Sequence, residues 1–430
     1  MSEKSAPRRK HGAGAPTLAA QVLELLASGQ AESRTELADL LGAAPSTISL
    51  TVGHLVTHGL VVEHGTSSPT GGRPRKVLRL GATSGYALAA DLGGRHARVG
   101  TVLAGGGLRD VDTVPLATAE GPEVVLPQLA EALAALAQRS DAGSLRAVGL
   151  SLPGPVEVGS GVVTLPSRMP GWNRFPVRDW LADRFGLPAA VHNDANCMAV
   201  GEHSARSPVQ RQSITVKIGS AIGAGIIVDG RLYRGATDAA GDISHVRVDA
   251  AGEVPCSCGN TGCLETIASG AALVRILREA GTDVDTPADV VRLASDAHPG
   301  ATHAVRRAGR YLGLVLAANV NFFNPDAVYL GGIFSTLDPF VAAVRSQLYE
   351  SCHPLVTRHL AIERTRLGAD AGLVGAGQFA LQAALADALA ALPATAIGGD
   401  RRRPGATAGR RPGTIPRQAS PGTDSAPGGA

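Results

Sequence analysis

No run of about 18 apolar residues occurs in the sequence, which speaks against a membrane-spanning helix. The basic start, MSEKSAPRRKHGAGAP, is followed by no apolar signal-peptide stretch, so the cytoplasm is the expected compartment. No short-period repeat is visible, so a repeat array is not expected. A large excess of one charge is also lacking: a formal net charge of +3 is too small to imply a nucleic-acid partner by itself. Aromatic residues make up only 3% while glycines number 54, a balance that suits an α/β protein with many tight turns. Cysteines number five, and three of them crowd into residues 256–263, where a disulfide framework would spread them.

What is present divides the chain. At 430 residues it has room for two or three packed units. Residues 1–16 read as a polar, basic arm. Residues 17 to about 82 read as a helical unit ending in a hairpin. From residue 86 to about 390, strand patterns alternate with helical ones, with a break near residue 195. The tail, residues 393–430, is rich in Gly, Pro and Arg without apolar periodicity, and is expected to be disordered.

In the first unit Thr17 can cap a helix carrying Leu18, Val22, Leu25 and Leu26 on one face. Ser33 can cap a second, with Leu37, Leu40 and Leu41 inward, and Gly42 then permits a sharp turn. A third helix from about Pro45 to His58 sets Ile48, Val52 and Leu55 on one stripe, with Gly59 just past its end. Three short helices with a tight turn before the third describe a helix-turn-helix. Ser46, Thr47, Ser49, Leu50 and His54 fall on the outer face of the third helix, where they can touch base edges or phosphates of double-stranded DNA. Val61–His64 and Lys76–Leu80 read as strands, and the glycine-hinged loop between them, with Arg73, Arg75 and Lys76, can lie against a DNA backbone or enter a minor groove. The same helices also suit a small domain that only docks on the rest of the chain.

In the body, ALAADLGGRHARVGTVL reads as strand, Gly-Gly turn and strand, with Asp91 ending the first strand before Gly93–Gly94. VKIGSAIGAGIIVDG repeats that design at Gly219–Gly225. Such turns can clamp phosphates through backbone N–H groups, or be plain hairpins. GLPAAVHNDANCMAVGEH leads a strand into a helix with Asn193 and Asp194 at the junction. An aspartate there can take a proton from an attacking hydroxyl, or simply cap the helix. The sharpest local signal is HVRVDAAGEVPCSCGNTGCLE. Its His245, Cys256, Cys258 and Cys263 offer one imidazole and three thiolates, a set suited to a closed, tetrahedral structural zinc site. Free thiols or a redox pair are the plainer alternative. Cys197 and Cys352 stand alone and are expected to be ordinary buried residues.

Taken together, these motifs resemble the ROK family, repressors and sugar kinases that share a two-lobed, actin-like (ribonuclease H-like) α/β fold. The resemblance covers all but the two tails. The family's histidine and CxCGxxGCxE signature stands complete as His245 and CSCGNTGCLE, and its NDAN element as Asn193–Asn196. SLPGPVE and MPGWNRFPV look like its sugar-side loops, and the first unit, with its GGRP wing, looks like the winged helix-turn-helix of the repressor branch. The resemblance implies a winged helix-turn-helix over 17–82 and a sugar-kinase-like domain over 86–390. In that domain a small lobe spans about 86–195 plus a C-terminal helix at about 369–390, and a large lobe spans about 196–368. It implies that Asn193, Asp194, His245 and Glu265 face a sugar, and that Asp91, Gly93, Gly94, Gly219, Ser220, Gly331 and Gly332 stand on the nucleotide side.

Several positions depart from the family's kinases. Arg95 follows the Gly-Gly pair where they carry Thr or Asn. Gly219-Ser220-Ala221 replaces Gly-Thr-Gly, and Gly241-Asp242-Ile243-Ser244-His245 replaces Gly-Glu-x-Gly-His, so Asp242 takes the sugar-side place of a longer carboxylate. Asp194 is spared. The expectation is a sugar-responsive DNA-binding regulator of carbohydrate genes, a repressor, acting as a homodimer or homotetramer with a structural zinc ion and a retained sugar pocket. The alternative is an active ATP- and Mg-dependent kinase of a hexose or N-acetylamino sugar, with Asp194 catalytic and a DNA module appended.

Overall fold

The computed structural model describes residues 17–27, 30–66, 76–80, 85–104, 107–167, 169–206 and 210–390. The basic arm, the tail, Arg73 and Arg75 lie outside these residues. The head begins with α1 (Leu18–Ala27), where Thr17 Oγ1 accepts the Ala20 N–H. In α2 (Arg34–Leu41) Ser33 Oγ accepts the Glu36 N–H, and Gly42 closes the helix in the left-handed region. The next helix, α3 (Pro45–Thr57), starts on a proline that lacks the donor a first turn cannot use. Ile48, Val52 and Leu55 of α3 meet Val22, Leu23 and Leu37 in a closed core. Leu40, expected to point inward, is instead 48% exposed. At 100° per residue, the covered arc of α2 runs from Leu37 through Leu41 to Ala38, and Leu40 lies roughly 60° beyond its opposite edge. A two-stranded antiparallel ribbon follows, β1 (Val61–Thr66) and β2 (Lys76–Leu80). Glu63 on β1 binds both Arg34, at 2.6 Å, and Lys76, and these cations hold its carboxyl below the ordinary glutamate range.

The body holds two five-stranded sheets of the same design. The first comprises β3 (Tyr86–Leu92), β4 (Ala97–Leu103), β5 (Leu108–Val114), then α4 (Pro122–Arg139), β6 (Leu145–Leu152), a small hairpin β7 (Val156–Glu157) and β8 (Val162–Val163), α5 (Val177–Phe185) and β9 (Ala189–Asn193). The helix α6 (Asp194–Ser204) leads to the second: β10 (Ser213–Ile218), β11 (Ile222–Val228), β12 (Arg231–Tyr233), four helices α7 (Glu265–Ala268), α8 (Gly270–Glu279), α9 (Pro287–Ser295) and α10 (Pro299–Phe323), then β13 (Ala327–Gly331), α11 (Asp338–Ser351), α12 (Pro354–Thr357) and β14 (Ala361–Arg364). Strand order is β5-β4-β3-β6-β9 in one and β12-β11-β10-β13-β14 in the other. In each, a three-strand antiparallel meander is extended by two parallel strands on the far side of its first strand. Parallel strands need helical crossovers, which cover the sheet faces and leave the central strands buried along most of their length.

The last helix, α13 (Ala371–Ala390), returns to the first sheet, where Leu373, Ala376, Phe379 and Ala380 pack on Ala87, Ala89, Ala147 and Ala190. It crosses α6 with backbone against backbone. A Cβ at Gly375 would collide with the Cys197 carbonyl, and one at Gly201 with the Ala371 carbonyl. Farther along α13, Leu385 packs against the head's core, and Gln30 Nε2 of the head donates to Gly230 O in the β11–β12 turn at 2.8 Å. Among the described residues, no helix is long and apolar enough to cross a membrane.

Beneath α13 lies His192 of β9, stacked on Phe379 with ring centroids 3.6 Å apart. Burial, with the Arg234 guanidinium adding to it, pushes its pKa down to about 3. The folded protein keeps this ring neutral, whereas an unfolded chain protonates it near pH 6.5. Its contribution to acid instability is therefore nil above about pH 6.5, grows as pH falls, and levels off below about pH 3. Melting temperature against pH should fall less steeply between pH 6 and 4 in His192→Gln than in the unaltered protein. Parallel profiles would contradict this account.

Candidate ligand cleft and metal centre

Four side chains converge on one point after β12. His245 sits on a one-turn 3-10 segment, Ile243–His245. Gly241 fixes that segment against β11: its φ is +91°, and a side chain there would run into the Ala224 carbonyl. The cysteine loop is closed by short backbone bridges, Cys256 N–H to Asn260 O at 2.8 Å and Leu264 N–H to Val246 O at 2.9 Å. The ligand atoms of His245, Cys256, Cys258 and Cys263 all lie within 4.8 Å of one another. Metal–sulfur bonds of about 2.3 Å in a tetrahedron give sulfur–sulfur edges near 3.8 Å. Here Cys258 Sγ and Cys263 Sγ are 3.7 Å apart, and Cys256 Sγ is 3.4 Å from His245 Nδ1. The donor set thus fits one tetrahedral ion, with Nδ1 as the histidine ligand and Nε2 turned away from it. All five cysteines are free thiols, and Cys197 and Cys352 are buried singly.

Strand β11 gathers the residues expected to face a sugar. At Ile222 its N–H donates to Glu265 Oε2, 3.1 Å away. At Gly223 and Gly225 it lies against Ala195 and Asn196 at the start of α6, and at Ala224 its N–H donates to Gly241 O, 3.0 Å away, before Asp242. The three loops carrying Glu265, Asp194 and His245 are therefore held by neighbouring residues of one strand. Asn193 caps α6 through its Oδ1, and its Nδ2 donates to Gly154 O of the SLPGPVE loop at 3.1 Å. Asp242 is exposed and accepts from Ser244 Oγ, whereas Glu265 is only 4% exposed. In MPGWNRFPV, Trp172 is fully buried and anchors its loop through Nε1 to Thr118 O at 2.9 Å.

On the other side, the two glycine turns face each other: the nearest atom to a Cβ built on Gly94 is Ser220 Oγ, at 4.0 Å. Gly219 borders open space, while its carbonyl receives the Gly270 N–H of α8 at 2.9 Å. Arg95 is exposed, with no ion pair among the described residues. Gly331 and Gly332 are explained by packing, since side chains there would strike Met198 Sδ and the Ile218 carbonyl.

Between the two turns stands a residue the sequence reading passed over. Lys217 of β10 places its Nζ 2.9 Å from Asp194 Oδ2 and 3.7 Å from Asp91 Oδ1. Burial opposes its charge, but Asp194 and Asp91 outweigh that and raise its pKa above the usual lysine value. A lysine inside the otherwise uncharged SITVKIG was the available signal.

In the head, Ser46, Thr47, Ser49, Leu50 and His54 are all exposed on α3, and Leu50 shows 64% of its surface. Lys76, expected to meet DNA, is bound to Glu63 within the ribbon.

The family model described as ROK family matches residues 87–383. The putative xylose repressor of Caldicellulosiruptor sp. (strain Rt8B.4) is 29% identical over 374 residues, 82% of this chain and 92% of that protein. A ROK family transcriptional regulator, described as a homolog of the E. coli MLC protein, superposes with a TM-score of 0.68 at 26% identity, over 86% of this chain and 96% of its own. A ROK family glucokinase from Streptomyces griseus, solved with glucose and AMPPNP, gives 0.62 at 29% identity, over 69% of this chain and 100% of its own.

Proposed function

The chain belongs to the ROK family, and from that premise we propose that it is a sugar-responsive transcriptional repressor. The head, residues 17–80, binds double-stranded DNA with α3 in a major groove, and the cleft along β11 binds the sugar. His245, Cys256, Cys258 and Cys263 hold a structural zinc ion, which fixes His245 and the turn leading to Glu265. The protein works as a homodimer or homotetramer, so that two heads meet two half-sites. Asn193, Asp194, Asp242, His245 and Glu265 recognise vicinal hydroxyls, for which amides and carboxylates are natural partners.

The observation that carries this reading is the solvent-facing side of α3, with Ser46, Thr47, Ser49, Leu50 and His54 exposed, while its opposite side is spent on the head's own core. The regulator's superposition also extends over 86% of the chain, against 69% for the glucokinase. A route for coupling is supported by β11, which gathers the sugar-side loops near its start and ends in the turn that Gln30 of the head reaches. Sugar binding changes DNA affinity only if it distinguishes the two placements of the head.

Fluorescence anisotropy with a duplex from the gene's own promoter tests the reading. One sugar from a panel of pentoses, hexoses and N-acetylamino sugars should change the Kd at least about fivefold, the lower end of ordinary coupling. No specific complex, with or without sugars, would overturn it.

A further inference from the structure

The cleft holds an ion triad that bears on the kinase chemistry of the fold. Asp91 is the penultimate residue of β3 in the first sheet and Asp194 begins α6, whereas Lys217 comes from the second sheet. The three side chains are only 12%, 18% and 19% exposed. Each carboxylate is already engaged. Asp194 Oδ1 accepts the Ala195 N–H at 2.9 Å and the Asn193 amide at 3.2 Å, leaving Oδ2 to Lys217. Asp91 Oδ1 accepts Ser151 Oγ and faces Lys217, while its Oδ2 lies against Gly372 of α13, where a Cβ would come within 2.6 Å.

Phosphoryl transfer to a sugar needs two things from such carboxylates: an oxygen open to the attacking hydroxyl, and oxygens that help hold the divalent cation of the nucleotide. The residues present do not fit that requirement. An ammonium on the outward oxygen of Asp194 blocks the first, and a positive charge beside both acids repels the second. Two carboxylates carry −2; Lys217 brings the cluster to −1 before any ligand arrives.

We infer that Lys217 is an internal counter-cation that takes the place of a divalent metal between Asp91 and Asp194, so that the cleft accepts a neutral sugar without metal-dependent phosphoryl transfer. It also ties the two sheets together. The inference rests on the reading of the cleft as a sugar site, but it concerns cation binding, which can be measured separately.

The test uses the full-length protein with its cysteine cluster metal-filled. Mn2+ is titrated and the bound fraction is read by electron paramagnetic resonance, in the unaltered chain, Lys217→Met and Lys217→Gln. The unaltered chain should show no binding by Mn2+ below millimolar concentration, and both variants should bind at least tenfold more tightly. Adding Asp91→Asn to either variant should remove the gained site. Equal Mn2+ affinity in the unaltered chain and the variants would overturn the inference. If neither variant folds, the unaltered chain still decides: micromolar Mn2+ binding refutes the proposal, and none by one millimolar upholds it. Sugar-dependent DNA affinity is followed in parallel on the unaltered chain. Its absence counts against the regulator reading and leaves the cation result to stand or fall alone.

Discussion

Cys263→Ala should strip the bound metal from the protein, lowering it from one equivalent per chain to less than about a tenth. Cys263 is the ligand with least freedom to be replaced. It is 1% exposed, its neighbour Leu264 is fully buried, and its carbonyl caps the start of α7 by accepting the Thr266 N–H and Oγ1. Removing its sulfur leaves two cysteines and an imidazole with the buried corner of the tetrahedron empty. Loss of a structural metal is among the mechanisms that give the largest single-site effects, about 4 kcal/mol or more. In a body of this size that corresponds to a fall in melting temperature of roughly 8 °C. Sugar binding should weaken with it, because the same loop positions His245. Elemental analysis and calorimetry on one preparation check both effects. A chelated, metal-free protein melting at the same temperature as the loaded one would show that the ion braces nothing.

Gly375→Ala should cost at least about 3 kcal/mol, although alanine is the better helix former by up to about 1 kcal/mol. The reason is steric: the new methyl would collide with the Cys197 carbonyl, a backbone atom that can yield only by moving α6 as a whole. That movement carries Asp194, at the start of α6, with it. Gly53 provides the control. It lies within α3, and a Cβ there meets nothing within 4 Å, so Gly53→Ala should be neutral or stabilising by up to about 1 kcal/mol. Urea unfolding of the two variants separates the outcomes. Equal stabilities would mean that the crossing of α6 and α13 is looser than its geometry states.

Local signals are the ones the sequence conveys directly. The apolar stripe Ile48, Val52 and Leu55, the capping Ser33 and the Cys-x-Cys-x4-Cys spacing each involve residues a few positions apart, and each appears in the structure as read. Leu40 fails because periodicity gives a direction on a helix without the width of the face its neighbours cover. Glu265 reads as a sugar ligand, yet the structure also gives it the Ile222 amide to hold, a demand set by how β11 approaches α7. Gly331 and Gly332 read as phosphate-side glycines, but packing against Met198 and β10 already requires them. The partners of Lys217 are illegible for a topological reason: Asp91 comes from the other sheet and Asp194 from the start of α6, and only the crossing of the chain between sheets puts them in reach.

The two sheets are near-copies, and Asp91 and Lys217 occupy the same penultimate place on the opening strand of each. Had the second copy kept the acid of the first, two negative groups would face each other across the gap that the longer Lys217 side chain now spans. At an effective dielectric constant of about 20, the opposite charges 3.7 Å apart attract by about 4.5 kcal/mol before the cost of burying them, where like charges would repel. Reversing one sign turns a seam that would push its halves apart into one that draws them together. Part of the cohesion between the two sheets thus comes from a position at which their shared design differs.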